Sequence, residues 1–285
     1  MTYLSVYLKV LKSKIKMILI YGMTVYSFIV IMTCSYQKLA DMRNQNMLKQ
    51  YQFIQERYLD DDMMKTSFQA YNEYDRHTYY FSLVAFSTLS VLATEMALLL
   101  YTFDQGDLKR RIMSAPVSNK QIRASFYAIG LLMSFVLCFV QILLSFCIFG
   151  INYWRAEYIF MIINMILLSF VGLELSNVVA KICKNRKHIG MIITVLIIAV
   201  CFLSGVFVPQ YLLGKSAKTI AVFMPVYWYI HANNIISDLY FNDLTYLPEI
   251  LKCFIIQIFS IVLLHMTASV IEKQEVNLSG GLNHE

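Results

Sequence analysis

Apolar residues along this chain gather into six long runs, Met17–Tyr36, Tyr79–Phe103, Ala124–Trp154, Tyr158–Ala180, Ile189–Leu213 and Cys253–Ile271. Each is long enough to cross a bilayer, since ~20 helical residues traverse ~30 Å of hydrocarbon. Within hydrocarbon the backbone must satisfy its own hydrogen bonds, so each run is expected to be helical. The pattern predicts an all-α integral membrane protein of six transmembrane helices, organised as a single transmembrane domain over residues 1–285. The first run is longer than the apolar core of a secretory signal, and no small-x-small cleavage site follows it. It is expected to be retained.

The polar segments between the runs set the orientation. Lys9, Lys12, Lys14 and Lys16 precede the first run. Lys109, Arg110, Arg111, Lys120 and Arg123 follow the second, and Lys181, Lys184, Arg186 and Lys187 follow the fourth. With six crossings these clusters fall on one side, which the positive-inside rule makes cytosolic. The opposite side receives the longer Gln37–Thr78 loop, whose six basic residues are diluted by seven acidic ones. A multi-pass protein of the cell membrane with both termini in the cytoplasm is the expectation.

Two shorter segments carry a pattern of their own. Leu4, Tyr7, Leu8 and Leu11 recur at helical spacing beside the amino-terminal lysines, which predicts an interfacial helix before the first span. Thr219–Ile230 is apolar, too short to cross and interrupted by Pro225. It is expected to form an outer re-entrant or interfacial element between spans five and six, with Tyr227, Trp228 and Tyr229 in the headgroup layer.

Composition agrees with the pattern. Of the 285 residues 58% are hydrophobic and 15% charged, against roughly 25% charged in soluble domains. The formal charge of +6 lies in short clusters rather than along a face, so no nucleic-acid partner is expected. The six cysteines form no C-x-x-C pair, and buried thiols fit better than a disulfide frame or a metal site.

Enzyme motifs fail on inspection. Leu278-Ser279-Gly280-Gly281 looks like an ATPase signature, but only a short tail surrounds it. Gly214-Lys215-Ser216 imitates the end of a phosphate-binding loop whose first glycine would fall at Pro209. Neither H-E-x-x-H nor G-x-S-x-G occurs, and the five histidines are scattered. No enzymatic site, resident metal or cofactor bound by this chain is expected.

Chemistry is concentrated in two places. Glu95 and Glu174 are the formal charges inside the six runs. They lie roughly 12 and 9 Å from the cytosolic ends of their spans, where ionisable groups face a protein interior or a wet cavity. They are candidates for the translocation pathway, or else for packing pairs with a neighbouring helix or a basic loop residue. Gln141, Asn164 and Asn177 are expected to bond between helices. The second place is the loop 104–123, DQGDLKRRIMSAPVSNKQIR. Pro116 would end a short helix in which Leu108 and Ile112 share one face, Met113 lies at its edge and Arg110 points away. Ser118 and Gln121 then make a capping box for the next helix.

This loop resembles that of the ABC-2 family of transporter permeases. Ala115-Pro116-Val117-Ser118 is similar to the family's Pro-Val-Ser turn, and Asp104-Gln105-Gly106-Asp107-Leu108 to the acidic-Gly-Thr-Leu stretch before it. Asp107 stands where threonine is usual. Leu203–Pro209 and Met224–Tyr227 resemble the family's outer re-entrant region. The resemblance implies the permease subunit of an ATP-driven exporter for an amphipathic or apolar substrate. Its implied partners are two copies of a separate ABC ATPase carrying ATP and Mg, a second permease, identical or related, and membrane lipid. The implied coupling residues are Asp107, Leu108, Lys109, Arg110, Arg111, Ile112, Met113 and Pro116. An ion-coupled secondary transporter using the buried Glu95 and Glu174 is the alternative.

Overall fold

The computed structural model describes residues 22, 23, 25–27, 29–35, 38, 61–103, 119–150, 157–182, 189–208, 210, 213–238 and 246–281. The amino-terminal segment assigned to an interfacial helix and most of the basic loop, 104–118, lie outside these residues. Every described element is a helix. In chain order they are α1 (Val25–Ser35), α2 (Asp61–Phe103), α3 (Asn119–Phe149), α4 (Glu157–Ile182), α5 (Ile189–Ser204), α6 (Lys215–Ala221), α7 (Pro225–Asp238) and α8 (Leu247–Gly281). Four contain stretches long and apolar enough to cross a membrane: His77–Leu99, Ala124–Phe149, Tyr158–Ile182 and Leu247–Ile271. Val25–Ser35 and Gly190–Ser204 are shorter apolar helices.

The axis of the bundle is α2. Its apolar stretch is 89% buried, against 17% for that of α8. The sequence explains the choice, because Ser82, Ala85, Ser87, Thr88, Ser90, Ala93, Thr94 and Ala97 put small side chains all round the helix. Small residues let neighbouring backbones approach closely where burial of apolar surface supplies no drive between helices. A Cβ on Gly172 of α4 would lie 3.4 Å from Leu89 Cδ2 and 3.6 Å from Leu92 Cβ.

Side-chain pairings give each helix its direction. Phe81 stacks near Tyr158, and Leu89 and Leu92 meet Gly172, so α2 and α4 run parallel. Gln257 bonds Asn164 and His265 meets Glu174, so α8 runs parallel to both. Tyr80 bonds the main chain at Gln141 while Met96 approaches Gly130, which makes α3 antiparallel to α2. Phe86 meets Phe207 and Thr94 lies near Gly190, so α5 is antiparallel as well.

Two helices stop short of their apolar runs, and glycine explains both. Gly150 adopts φ 84° and returns its N–H to Phe146 O at 2.9 Å, so α3 closes at Phe149 although the run reaches Trp154. Gly205 adopts φ 98°, with Val206 N–H bonded to Cys201 O at 3.0 Å. Left-handed glycine caps of these two kinds satisfy the free carbonyls at a helix end. The fifth run was expected to remain helical to Leu213, but α5 ends at Ser204. Its 16 residues rise about 24 Å.

After α5 the chain does not simply turn back. Gln210 inserts its amide, donating to Ser204 O and Tyr227 O at 3.0 Å each. Helices α6 and α7 follow, and Pro225 sits at the first position of α7, where its missing N–H costs nothing. Trp228 Nε1 donates to Val222 O at 2.8 Å across the break between them. Helix α7 packs on α2, α4 and α8, with Tyr229, Ala232, Asn233 and Ile236 fully enclosed. Tyr229 was expected at the headgroups beside Trp228. It is instead a core residue, its hydroxyl donating to Phe81 O at 2.7 Å.

Candidate functional site

Glu174 is held where α3 and α8 both lean on α4. Its side chain is 8% exposed, and Oε1 lies 3.1 Å from Nδ1 of His265 on α8, whose side chain is 53% exposed. Tyr127 of α3 donates its hydroxyl to Oε2 of Glu174 at 3.3 Å and also lies 3.0 Å from His265 Nδ1. Asn177, one turn further along α4, donates Nδ2 to that phenol oxygen at 3.2 Å. Lys181, a turn beyond, donates to Ala268 O of α8 at 3.1 Å. Residues 174, 177 and 181 share one face of α4 because helical neighbours recur at three and four residues.

The phenol has one proton and two acceptors within reach, so this group has two bonding arrangements. When His265 is protonated, Nδ1 donates to Glu174 and Tyr127 also donates to Glu174, concentrating two donors on one carboxylate. With a neutral imidazole protonated at Nε2, Nδ1 becomes an acceptor and the Tyr127 proton can turn to it. A buried carboxylate is strongly disfavoured unless such donors satisfy it.

Glu95 stands differently. It is buried on α2, with no hydrogen bond or ion pair to another described residue. Its neighbour Met96 and Glu174's neighbour Leu173 converge on Gly130, where an added Cβ would lie 3.2 Å from Met96 Cε and 2.8 Å from Leu173 Cδ2. The two carboxylates therefore occupy a similar level in the bundle, as their positions in the runs suggested. They share no bond.

A second polar group lies toward the amino-terminal halves of α4 and α8. Asn164 donates to Tyr229 O at 2.9 Å and to Asn233 Oδ1 at 2.8 Å, and accepts from Gln257 Nε2 at 2.8 Å. Gln141 of α3 donates to Ser87 Oγ at 2.8 Å and Thr88 Oγ1 at 3.0 Å of α2. Thus Gln141, Asn164 and Asn177 all bond between helices. Polar side chains enclosed among apolar helices are worth most when they pair with one another.

Sequence reasoning named Glu174 but not its partners. His265 was the available signal, as an ionisable residue inside an apolar run. Tyr127 gave none, since tyrosine is ordinary in such helices. Asp107, Leu108, Lys109, Arg110, Arg111, Ile112, Met113 and Pro116 lie outside the described residues. Among the described residues no group of three or more His, Cys, Asp or Glu could hold a metal ion.

No curated protein and no solved structure matches the chain significantly. The profile of the family described as ABC-2 type transporter matches residues 7–236, a range that takes in α1 to α5, the basic loop, α6 and most of α7. With an all-helical bundle and apolar helices of crossing length beneath that match, this membrane protein belongs to the ABC-2 type transporter family.

Proposed function

We propose that this ABC-type permease is the channel-forming subunit of an ATP-driven exporter for an amphipathic or apolar cargo. The observation that carries the reading is the family match over residues 7–236. Permeases of this family are transmembrane components that normally work with an ABC ATPase and generally lack an ATPase site of their own. In the proposed assembly two permeases, identical or related, enclose the pathway, and two ATPase subunits carrying ATP and Mg bind at the cytosolic face. The chain crosses the cell membrane six times with both termini in the cytoplasm. Helices α6 and α7 form a re-entrant element on the outer side. The opposed directions of α3 and α5 relative to α2, α4 and α8 support that course.

Coupling is assigned to the loop after α2. Leu108, Ile112 and Met113 supply an apolar contact to the ATPase, Lys109, Arg110 and Arg111 orient it through acidic partners, and Asp107 and Pro116 shape the two ends. Closure of the ATPases on ATP then pulls on α2 and α3, which flank the loop. Because α2 is the buried axis of the bundle, its displacement reaches α4, α5 and α7 directly. Glu95 and Glu174 provide the polar part of the pathway near its cytosolic end.

Coexpression with an ABC ATPase and purification in mild detergent tests this. A stoichiometric complex is expected, lost together with ATP-dependent transport when Leu108, Ile112 and Met113 are replaced by alanine at unchanged membrane levels. Normal export by that triple variant sinks the coupling assignment. Transport that persists without ATP but collapses with an ion gradient sinks the exporter.

A further inference from the structure

Helices α3 and α8 each pack on α4 but scarcely on one another. They leave a face of α4 open between them, and the Glu174 carboxylate lies on its floor. Tyr127 and His265 reach toward each other over that carboxylate, their ring centroids 5.9 Å apart. From there toward the amino terminus of α4 the groove is apolar. Helical periodicity places Ile163 and Phe170 of α4 on its floor, Leu131 and Phe135 of α3 along one wall, and Ile258 and Val262 of α8 along the other. Phe135, Ile163, Ile258 and Val262 are exposed, so the groove opens sideways from the bundle. Between Glu174 and Ile163 it runs roughly 16 Å.

We propose that this groove binds a lipophilic cation, with its ammonium-like head against the Tyr127 and His265 pair beside Glu174 and its apolar body along Phe170 and Ile163. The cargo class rests on the exporter reading; the binding itself does not. Charge complementarity selects the occupant. A carboxylate on an apolar floor repels anionic amphiphiles and gains a cation as counter-ion, and the Tyr127 ring adds attraction to a desolvated cation. Lys181 lies two turns of α4 beyond Glu174, with its ammonium on Ala268 O, at the far end from the apolar part of the groove.

His265 is the rival counter-cation. With a proton on Nδ1, in the cation or in that neutral tautomer, it occupies Oε1 of Glu174; with its proton on Nε2 alone it leaves that oxygen to a ligand. Among the described residues the charged or titratable groups facing it are Tyr127 on α3 and Glu174 and Lys181 on α4; Glu95 on α2 shares the level without a bond to the set.

The test measures saturable binding of labelled dodecyltrimethylammonium to the full chain in nanodiscs of zwitterionic lipid, with no ATPase present. Glu174→Gln is expected to weaken binding on the order of tenfold or more. Ile163→Trp, which fills the groove away from the polar set, is expected to weaken it also. Equal binding by Glu174→Gln overturns the proposal. Equal displacement by dodecyl sulfate does so too, and makes the groove a general lipid seat. Loss of all binding on assembly of the two-copy complex assigns the groove to a second copy instead. A chain that binds the cation but never associates with an ATPase sinks the exporter reading alone.

Discussion

The hydroxyl of Tyr229 donates to the main-chain oxygen of Phe81 at 2.7 Å, tying α7 to α2 across 148 positions of sequence. The ring is fully enclosed, so the contact joins packing and a polar tether in one side chain. Tyr229→Phe keeps the packing and removes the tether. It is expected to cost about 0.6 kcal/mol, the usual scale for a bond between helices in a membrane protein. Tyr229→Ala is expected to cost about 3–5 kcal/mol through the cavity it leaves. Thermal unfolding in detergent separates the two, and equal losses would show that the hydroxyl carries the whole contribution.

Asn164 is the hub of the amide group, with three bonds of its own. Asn233 and Gln257 each keep one buried atom, Nδ2 and Oε1, without a partner among the described residues. Removing the hub strands several groups at once, at about 1–3 kcal/mol for each buried one. Asn164→Ala should therefore lower the unfolding temperature clearly more than Asn233→Ala or Gln257→Ala. A reversed order would mean that the hub bonds are replaceable from elsewhere.

Glycine 205 ends α5 with φ 98°, and a Cβ there would sit 2.5 Å from Gln210 Cγ. Gly205→Ala faces both the backbone penalty, about 1–3 kcal/mol, and displacement of the Gln210 amide from Ser204 and Tyr227. A marked fall in folded yield is expected. Gly214 offers the opposite case. It caps α6 with ordinary extended geometry, φ −62° and ψ 156°, and no side-chain bond, and nothing lies near a Cβ there. Gly214→Ser should be neutral or stabilising by a few tenths of a kcal/mol, roughly the serine-over-glycine difference at a helix N-cap.

The two buried glutamates should respond differently to amidation. Glu174→Gln weakens an acceptor that serves a histidine and a phenol, and is expected to lower the unfolding temperature. Glu95→Gln disturbs no described bond and removes a buried ionisable group, so its unfolding temperature should stay the same or rise. A transport defect in Glu95→Gln at unchanged stability would place that carboxylate in the pathway. Unchanged transport would remove it from the proposed site.

Apolar run length alone identified the helices that dominate the bundle, because hydrocarbon allows the backbone few alternatives and imposes a minimum length. Glu95 and Glu174 were legible for the related reason that a charge inside such a run needs an explanation. Helix ends were less so. Gly150 and Gly205 look like any glycine in an apolar run until their backbone turns left-handed, and the run past Gly205 is still largely apolar. The amphipathic reading of the loop 104–123 is an expectation of the sequence.

Which helix is central and which side chain meets which were decided by tertiary structure. Hydropathy measures transfer into an apolar phase, and the interior of the bundle and the lipid around it are alike in that respect. It therefore could not distinguish the buried face of α2 from the exposed face of α8. Close packing makes that distinction, through small residues that fit only where another helix approaches. The same approach converts Tyr127 and His265, unremarkable 138 positions apart, into the two partners of one buried carboxylate.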